Sequence, residues 1–142
     1  MLNGMEGCDD HIAACNVGPS DDVLVLGMTT FPDLGRFARS VAEARTGKQI
    51  NRVLDGKDVF SRVLVGRDVE LDDQFCKKIW SVVAPGGLAC FFFNPTAQVS
   101  LGRRDLMQRT LDSEPVAQAW WLNTTEGELV VVARDWDRVD QR

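Results

Sequence analysis

FSRVLVGRDVELDDQFCKKIWSVVAPGGLACFFFNP, residues 60–95, is the stretch that decides how this chain folds. A β-branched run over residues 62–66 precedes an acid-rich entry into a helical pattern. Pro85-Gly86-Gly87 breaks that pattern, and a second apolar run covers residues 88–93. Parallel strands need a crossover of a dozen or more residues between them, so the stretch reads as a strand, a helix and a second parallel strand.

On the amino-terminal side, DVLVLG (residues 22–27) is a continuous apolar run of the kind that a strand buried on both faces requires. A loop over residues 28–31 leads to Pro32 and Asp33, which suit a first helical turn. Leu34, Phe37, Ala38, Val41, Ala42 and Arg45 recur at helical steps, which predicts a helix over residues 34–45 ended by Thr46-Gly47. Residues 48–58 read as a helical or irregular linker, because a parallel strand there would leave too short a connection to the run over residues 59–66.

The second helix is expected over residues 71–83. Glu70, Asp72 and Asp73 at its start suit the positive end of the helix dipole. On the carboxyl-terminal side, residues 97–111 carry a weaker helical pattern interrupted by Gly102. Two runs, residues 116–122 and 128–133, are joined by a Gly-containing loop of hairpin length. The expected division is an amino-terminal segment with a short helix (1–20), an α/β domain (21–134) and a polar tail (135–142).

With 142 residues, 44% of them hydrophobic and 26% charged, the chain has ordinary globular composition for one domain. A net charge of -5 argues against an extended grip on nucleic acid or anionic lipid. No apolar run approaches the roughly 20 residues needed to span a bilayer, and the amino terminus has neither the basic start nor the apolar core of a signal peptide. The expected location is the cytoplasm. Cys8, Cys15, Cys76 and Cys90 form no CxxC pair, and His11 is the only histidine, so no metal site is expected.

The order of these pieces resembles the class I S-adenosylmethionine-dependent methyltransferase fold, a Rossmann-like three-layer α/β sandwich. The residues that carry the likeness are DVLVLG (22–27) for the first strand, RVLV (62–65) for the middle one, APGGL (84–88) for the Pro-Gly-Gly turn and residues 120–133 for the antiparallel hairpin. The resemblance implies about five strands, mostly parallel, in the family's order one-four-five-seven-six. It also implies a cofactor site at Gly27, Met28, Thr29, Thr30, Gly66 and Arg67, with Asp55 or Asp58 standing in for the acid that binds the ribose.

Three departures from the family pattern bear on function. Only the first glycine of the cofactor loop is kept, in GMTTF (27–31), and Val25 stands where the family carries an acid within the first strand. Between the first helix and the middle strand there is too little chain for two complete strand-helix units. A shortened, loop-deficient form of this fold also resembles the amino-terminal domain of the anamorsin family, which implies that such a domain can serve protein assembly without binding the methyl donor.

Two functions follow. In the first, no cofactor is bound, methyl transfer is lost and the domain acts through a protein partner or a second copy of itself. With two strands missing, the first strand becomes a sheet edge, offering Val23 and Val25 for pairing unless the amino-terminal segment covers it. Trp120 and Trp121 point to opposite faces of their strand, so one is expected in the core and the other exposed to a partner. The alternative is a small methyltransferase with an atypical S-adenosylmethionine site at the strand ends. There Asp68, beside Arg67, is the candidate proton acceptor. Neither GxGxxG nor the P-loop pattern is present, and Arg103-Arg104 reads as a soluble helix face.

Overall fold

The computed structural model describes residues 15–27, 34–66, 68–70, 72–92, 105, 108, 116–124 and 127–134. Six strands form one sheet: β1 (Asp22–Leu26), β2 (Ser40–Ala44), β3 (Phe60–Val65), β4 (Val83–Phe92), β5 (Val116–Thr124) and β6 (Gly127–Arg134). Their spatial order is β2-β1-β3-β4-β6-β5. The first four are parallel, and β6 runs antiparallel to both β4 and β5. Helices α1 (Leu34–Phe37), α2 (Gly47–Leu54) and α3 (Asp73–Val82) lie between the strands. This is the mostly parallel α/β sandwich with a carboxyl-terminal antiparallel pair that the sequence implies, but with six strands where about five are expected, because β2 extends the expected order by one strand beside β1.

The structure corrects three expectations. The helical pattern over residues 34–45 splits into the single turn α1 and the strand β2, which pairs in register with β1 from Asp22 opposite Ser40 to Leu26 opposite Ala44. Val41, Ala42 and Arg45 fit helical spacing, but an outer strand beside β1 satisfies backbone groups that a helix would have left unpaired on the sheet. β1 is therefore no edge. Val23 and Val25 are 0% and 2% exposed between β2 and β3, so neither can meet a partner.

The third correction concerns Pro85-Gly86-Gly87. Helix α3 ends at Val82, and the chain runs directly into β4, which already contains the three residues. Gly86 has φ of 80°, and a register shift lies opposite, between Phe60 and Arg62 on β3. The motif acts here as an irregularity within a strand rather than as a turn ahead of it. The linker over residues 48–58 begins as expected with a helix, since α2 supplies the crossover from β2 to β3. The helix expected over residues 97–111 lies outside the described residues except at Asp105 and Gln108, which are helical.

Alternation along the strands divides the core in two. Leu24, Leu26, Val63, Val65, Ala89, Phe91, Val130 and Val132 face α2 and α3, which contribute Ile50, Leu54, Cys76, Ile79 and Trp80. Val23, Val25, Leu64, Cys90, Phe92, Leu129 and Val131 face the other way, against Cys15 from the amino-terminal segment and Leu34 from α1. Both faces of the central strands are thus dry, as uninterrupted apolar strands require.

Candidate functional site

Parallel strands in an open sheet finish on one side, and loops beyond those ends collect whatever polar groups the sequence places there. Here β1, β2 and β3 finish level with one another. The Gly27 N–H donates to the Ala44 carbonyl at 2.9 Å, and the Gly66 N–H donates to the Leu26 carbonyl at 2.9 Å. A turn follows in which the Val69 N–H donates to the Gly66 carbonyl at 3.2 Å.

Beyond these ends lies a cleft of about 280 Å³. Gly27 forms part of its lining. Ile50, Val69 and Phe75 supply apolar wall, and Asn51, Asp68, Glu70 and Arg45 supply amide, carboxylate and guanidinium groups. Gly27 sits at φ +104°, a conformation that side chains with a Cβ rarely adopt. A Cβ there would lie 2.6 Å from Val69 Cγ2 and 2.8 Å from Asp68 Oδ1, so the turn after β3 rests directly on this glycine.

The wall contributed by α2 is fixed at the helix start. Thr46 Oγ1 accepts from the Gln49 N–H at 3.2 Å, and Gln49 Oε1 accepts from the N–H groups of Thr46 at 3.1 Å and Arg45 at 2.8 Å. This reciprocal cap holds the backbone of Arg45 against α2. Its guanidinium donates through Nη2 to Glu43 Oε1 at 2.8 Å, which joins the last acid of β2 to the cleft rim.

A second polar cluster lies at the opposite, amino-terminal end of β1. Asp22 accepts from Arg39 Nε at 3.0 Å and from Ser40 Oγ at 2.7 Å, while Ser61 Oγ donates to Asp21 Oδ1 at 2.9 Å. Hydrogen bonds from Arg39 and then Ser40 lower the Asp22 carboxyl from 3.8 to about 2. The cluster ties the entry of β2 to β1 and is remote from the cleft.

Of the residues singled out in the sequence, the structure brings Gly27 and Asp68 together in the cleft, while Gly66 joins the end of β1 to the turn after β3 through its backbone hydrogen bonds. Asp55 lies elsewhere: it caps the far end of α2 and pairs with Lys78 Nζ at 3.3 Å. Asp58 is exposed ahead of β3. Met28, Thr29, Thr30 and Arg67 lie outside the described residues. Trp120 and Trp121 do occupy opposite faces of β5, but both are exposed, at 39% and 40%, where one was expected in the core.

Sequence reasoning missed Arg45, Asn51 and Phe75 as cleft residues and assigned Glu70 only to the helix dipole. The available signal was Arg45-Thr46-Gly47, a polar, glycine-containing exit from an apolar run. It was hidden while that run was read as a helix. Among the described residues no cluster of His, Cys, Asp and Glu could hold a metal ion, and no helix is long and apolar enough to cross a membrane.

No protein-family model and no curated protein matches this chain. Solved structures do. The N-methyltransferase NodS from Bradyrhizobium japonicum WM9 is similar at a TM-score of 0.63 with 12% identity, covering 96% of this chain and 100% of that one. The tRNA (m1A58) methyltransferase TrmI from Aquifex aeolicus is similar at 0.64 with 13% identity over 91% of this chain and 68% of that one. The precorrin 8w decarboxylase from Methanobacterium thermoautotrophicum is similar at 0.62 with 13% identity over 92% and 89%. At such identities the likeness concerns the fold, and that fold is the methyltransferase-like Rossmann fold.

Proposed function

We propose that this chain is a methyltransferase-fold protein whose cleft beyond β1, β2 and β3 takes S-adenosylmethionine through its nucleoside half. The observation that carries the proposal is the cleft's position and lining. It lies beside a left-handed glycine at the end of the first strand, and its lining combines the apolar Ile50, Val69 and Phe75 with the carboxylates of Asp68 and Glu70. Two structures of the same fold are described as S-adenosylmethionine-dependent methyltransferases, and NodS has been solved with S-adenosylhomocysteine.

The residues present fit such a group in part. Ile50, Val69 and Phe75 offer dispersion contact to a purine, and the Asn51 amide can donate to or accept from its edge. Asp68 and Glu70 are acceptors suited to ribose hydroxyls, and Glu43, the last acid of β2, reaches the rim through Arg45. When bound, the group supplies an activated methyl on a sulfonium.

One observation favours a second reading, in which the domain is non-catalytic and works through protein contacts. Asp68 and Val69 occupy the open side of Gly27, where a backbone glycine otherwise lets a ligand approach. The exposed pair Trp120 and Trp121 on the outer strand β5 would then be the contact.

Calorimetric titration with S-adenosylmethionine and S-adenosylhomocysteine, with the mass in solution recorded on the same sample, separates the two. Micromolar binding that weakens at least tenfold in Asp68→Asn is the expected result. Absence of binding at millimolar ligand overturns the methyl-donor reading, and a dimer in that sample would favour the second.

A further inference from the structure

Two thiols meet on the face of the sheet opposite α2 and α3. Cys15 comes from the amino-terminal segment and Cys90 from the carboxyl-terminal part of β4. They are 1% and 0% exposed within one apolar cluster, and both are free. Cys90 is opposite Leu64 of β3 in the sheet register. Burial, and then a hydrogen bond with the Cys15 thiol, push the Cys90 thiol well above its usual range, with Arg62 acting in the other direction.

The segment is held to β3 through Arg62. Its Nε donates to the Cys15 carbonyl at 2.8 Å, and Nη2 donates to the Asn16 carbonyl at 3.1 Å. Asp21 lies 3.7 Å from Nη1. Cys76 belongs to the opposite face of the sheet, so β4 itself separates it from this pair.

We propose that Cys15 and Cys90 form a disulfide under peroxide-class oxidants, covalently fastening the amino-terminal segment to β4. Residues 15 and 16 are tied to β3 by Arg62 side-chain hydrogen bonds rather than by a strand ladder, so this contact opens locally more readily than the central strands, and its opening exposes Cys15 and uncovers Cys90. The Cys15 thiolate attacks a peroxide oxygen. An S–O bond forms, the O–O bond breaks, and water leaves with the thiol proton, giving the sulfenic acid. As the segment settles, the Cys90 sulfur attacks the Cys15 sulfur. The S–S bond forms, and the hydroxyl departs as water with the Cys90 proton. The closed loop spans more than half of the chain, a length at which cross-linking strongly restricts the unfolded state.

The test treats the full chain with hydrogen peroxide, blocks remaining thiols with N-ethylmaleimide and maps peptides by mass spectrometry without reduction. A linked Cys15–Cys90 peptide is expected. Oxidised protein should melt on the order of 10 °C above the dithiothreitol-treated form, a gap lost in Cys15→Ser and kept in Cys8→Ser. Should Cys15→Ser fail to fold, Arg62→Lys keeps both thiols but loosens the segment, and it should accelerate formation of the link several-fold. Cys8 linked to either thiol in place of this pair, or oxidation that stops at sulfinic acids, overturns the proposal. So does a rate unchanged by Arg62→Lys.

Discussion

Gly27 meets two demands that disfavour any residue carrying a Cβ. Its φ of +104° lies where a Cβ is strained, and the position a Cβ would take is already filled by Val69 and Asp68. Gly27→Ala should therefore cost about 1–3 kcal/mol in chemical denaturation. It should also weaken methyl-donor binding more than Asp68→Asn, because the turn that lines the cleft must shift. Asp22 makes a different prediction. Its carboxyl titrates near 2 in the folded protein rather than at the ordinary 3.8, so its contribution to stability is present above about pH 4 and lost as pH falls toward 2. Asp22→Asn should flatten the acid limb of stability against pH in that window, and nuclear magnetic resonance titration of the wild-type carboxyl should report the lowered midpoint. Glycine at the end of the first strand was legible from the sequence. The partners of Asp22 were not, since Arg39 and Ser40 reach it only once β2 lies beside β1.

Ser40–Ala44 shows why a short element can be misread. Five residues with apolar groups at positions 41, 42 and 44 satisfy a helical stripe as well as a half-buried strand, and neither capping nor proline decides between them. The parallel ladder with β1 decides, because it supplies partners to backbone groups on both strands. Longer elements carried their own evidence. Asp72 caps α3, its carboxylate accepting from the Phe75 N–H at 2.7 Å, in accord with the acid-rich start. The strand β4 carries the next prediction. A Cβ at Gly87 would lie 2.9 Å from the Ala84 carbonyl oxygen and 2.9 Å from the Ser61 carbonyl oxygen, and backbone atoms cannot give way as a flexible side chain can. Gly87→Ala should cost about 1–3 kcal/mol in urea denaturation, with faster amide exchange in β3 and β4 as its local sign.

At the scale of the whole molecule, the proposed function links ligand binding to folding. A methyl donor held only by the folded cleft should raise stability by about 2.7 kcal/mol at a hundred times its dissociation constant. Thermal melts at rising S-adenosylhomocysteine should show this increase in the wild type and a smaller one in Asp68→Asn. Unchanged melting at saturating ligand would leave the cleft without that occupant. The sequence alone determined the fold class, the central strands and the antiparallel ending, because each rests on local apolar periodicity and on breakers that act within a few residues. It also marked Gly27 and Asp68, whose types suit a strand end. Tertiary structure decided that β2 flanks β1, that both tryptophans of β5 remain exposed, and that Arg45, Asn51, Glu70 and Phe75 line one cleft with Gly27 and Asp68. These outcomes depend on which segments become neighbours across the sheet, and no local pattern encodes a contact whose partner lies dozens of residues away.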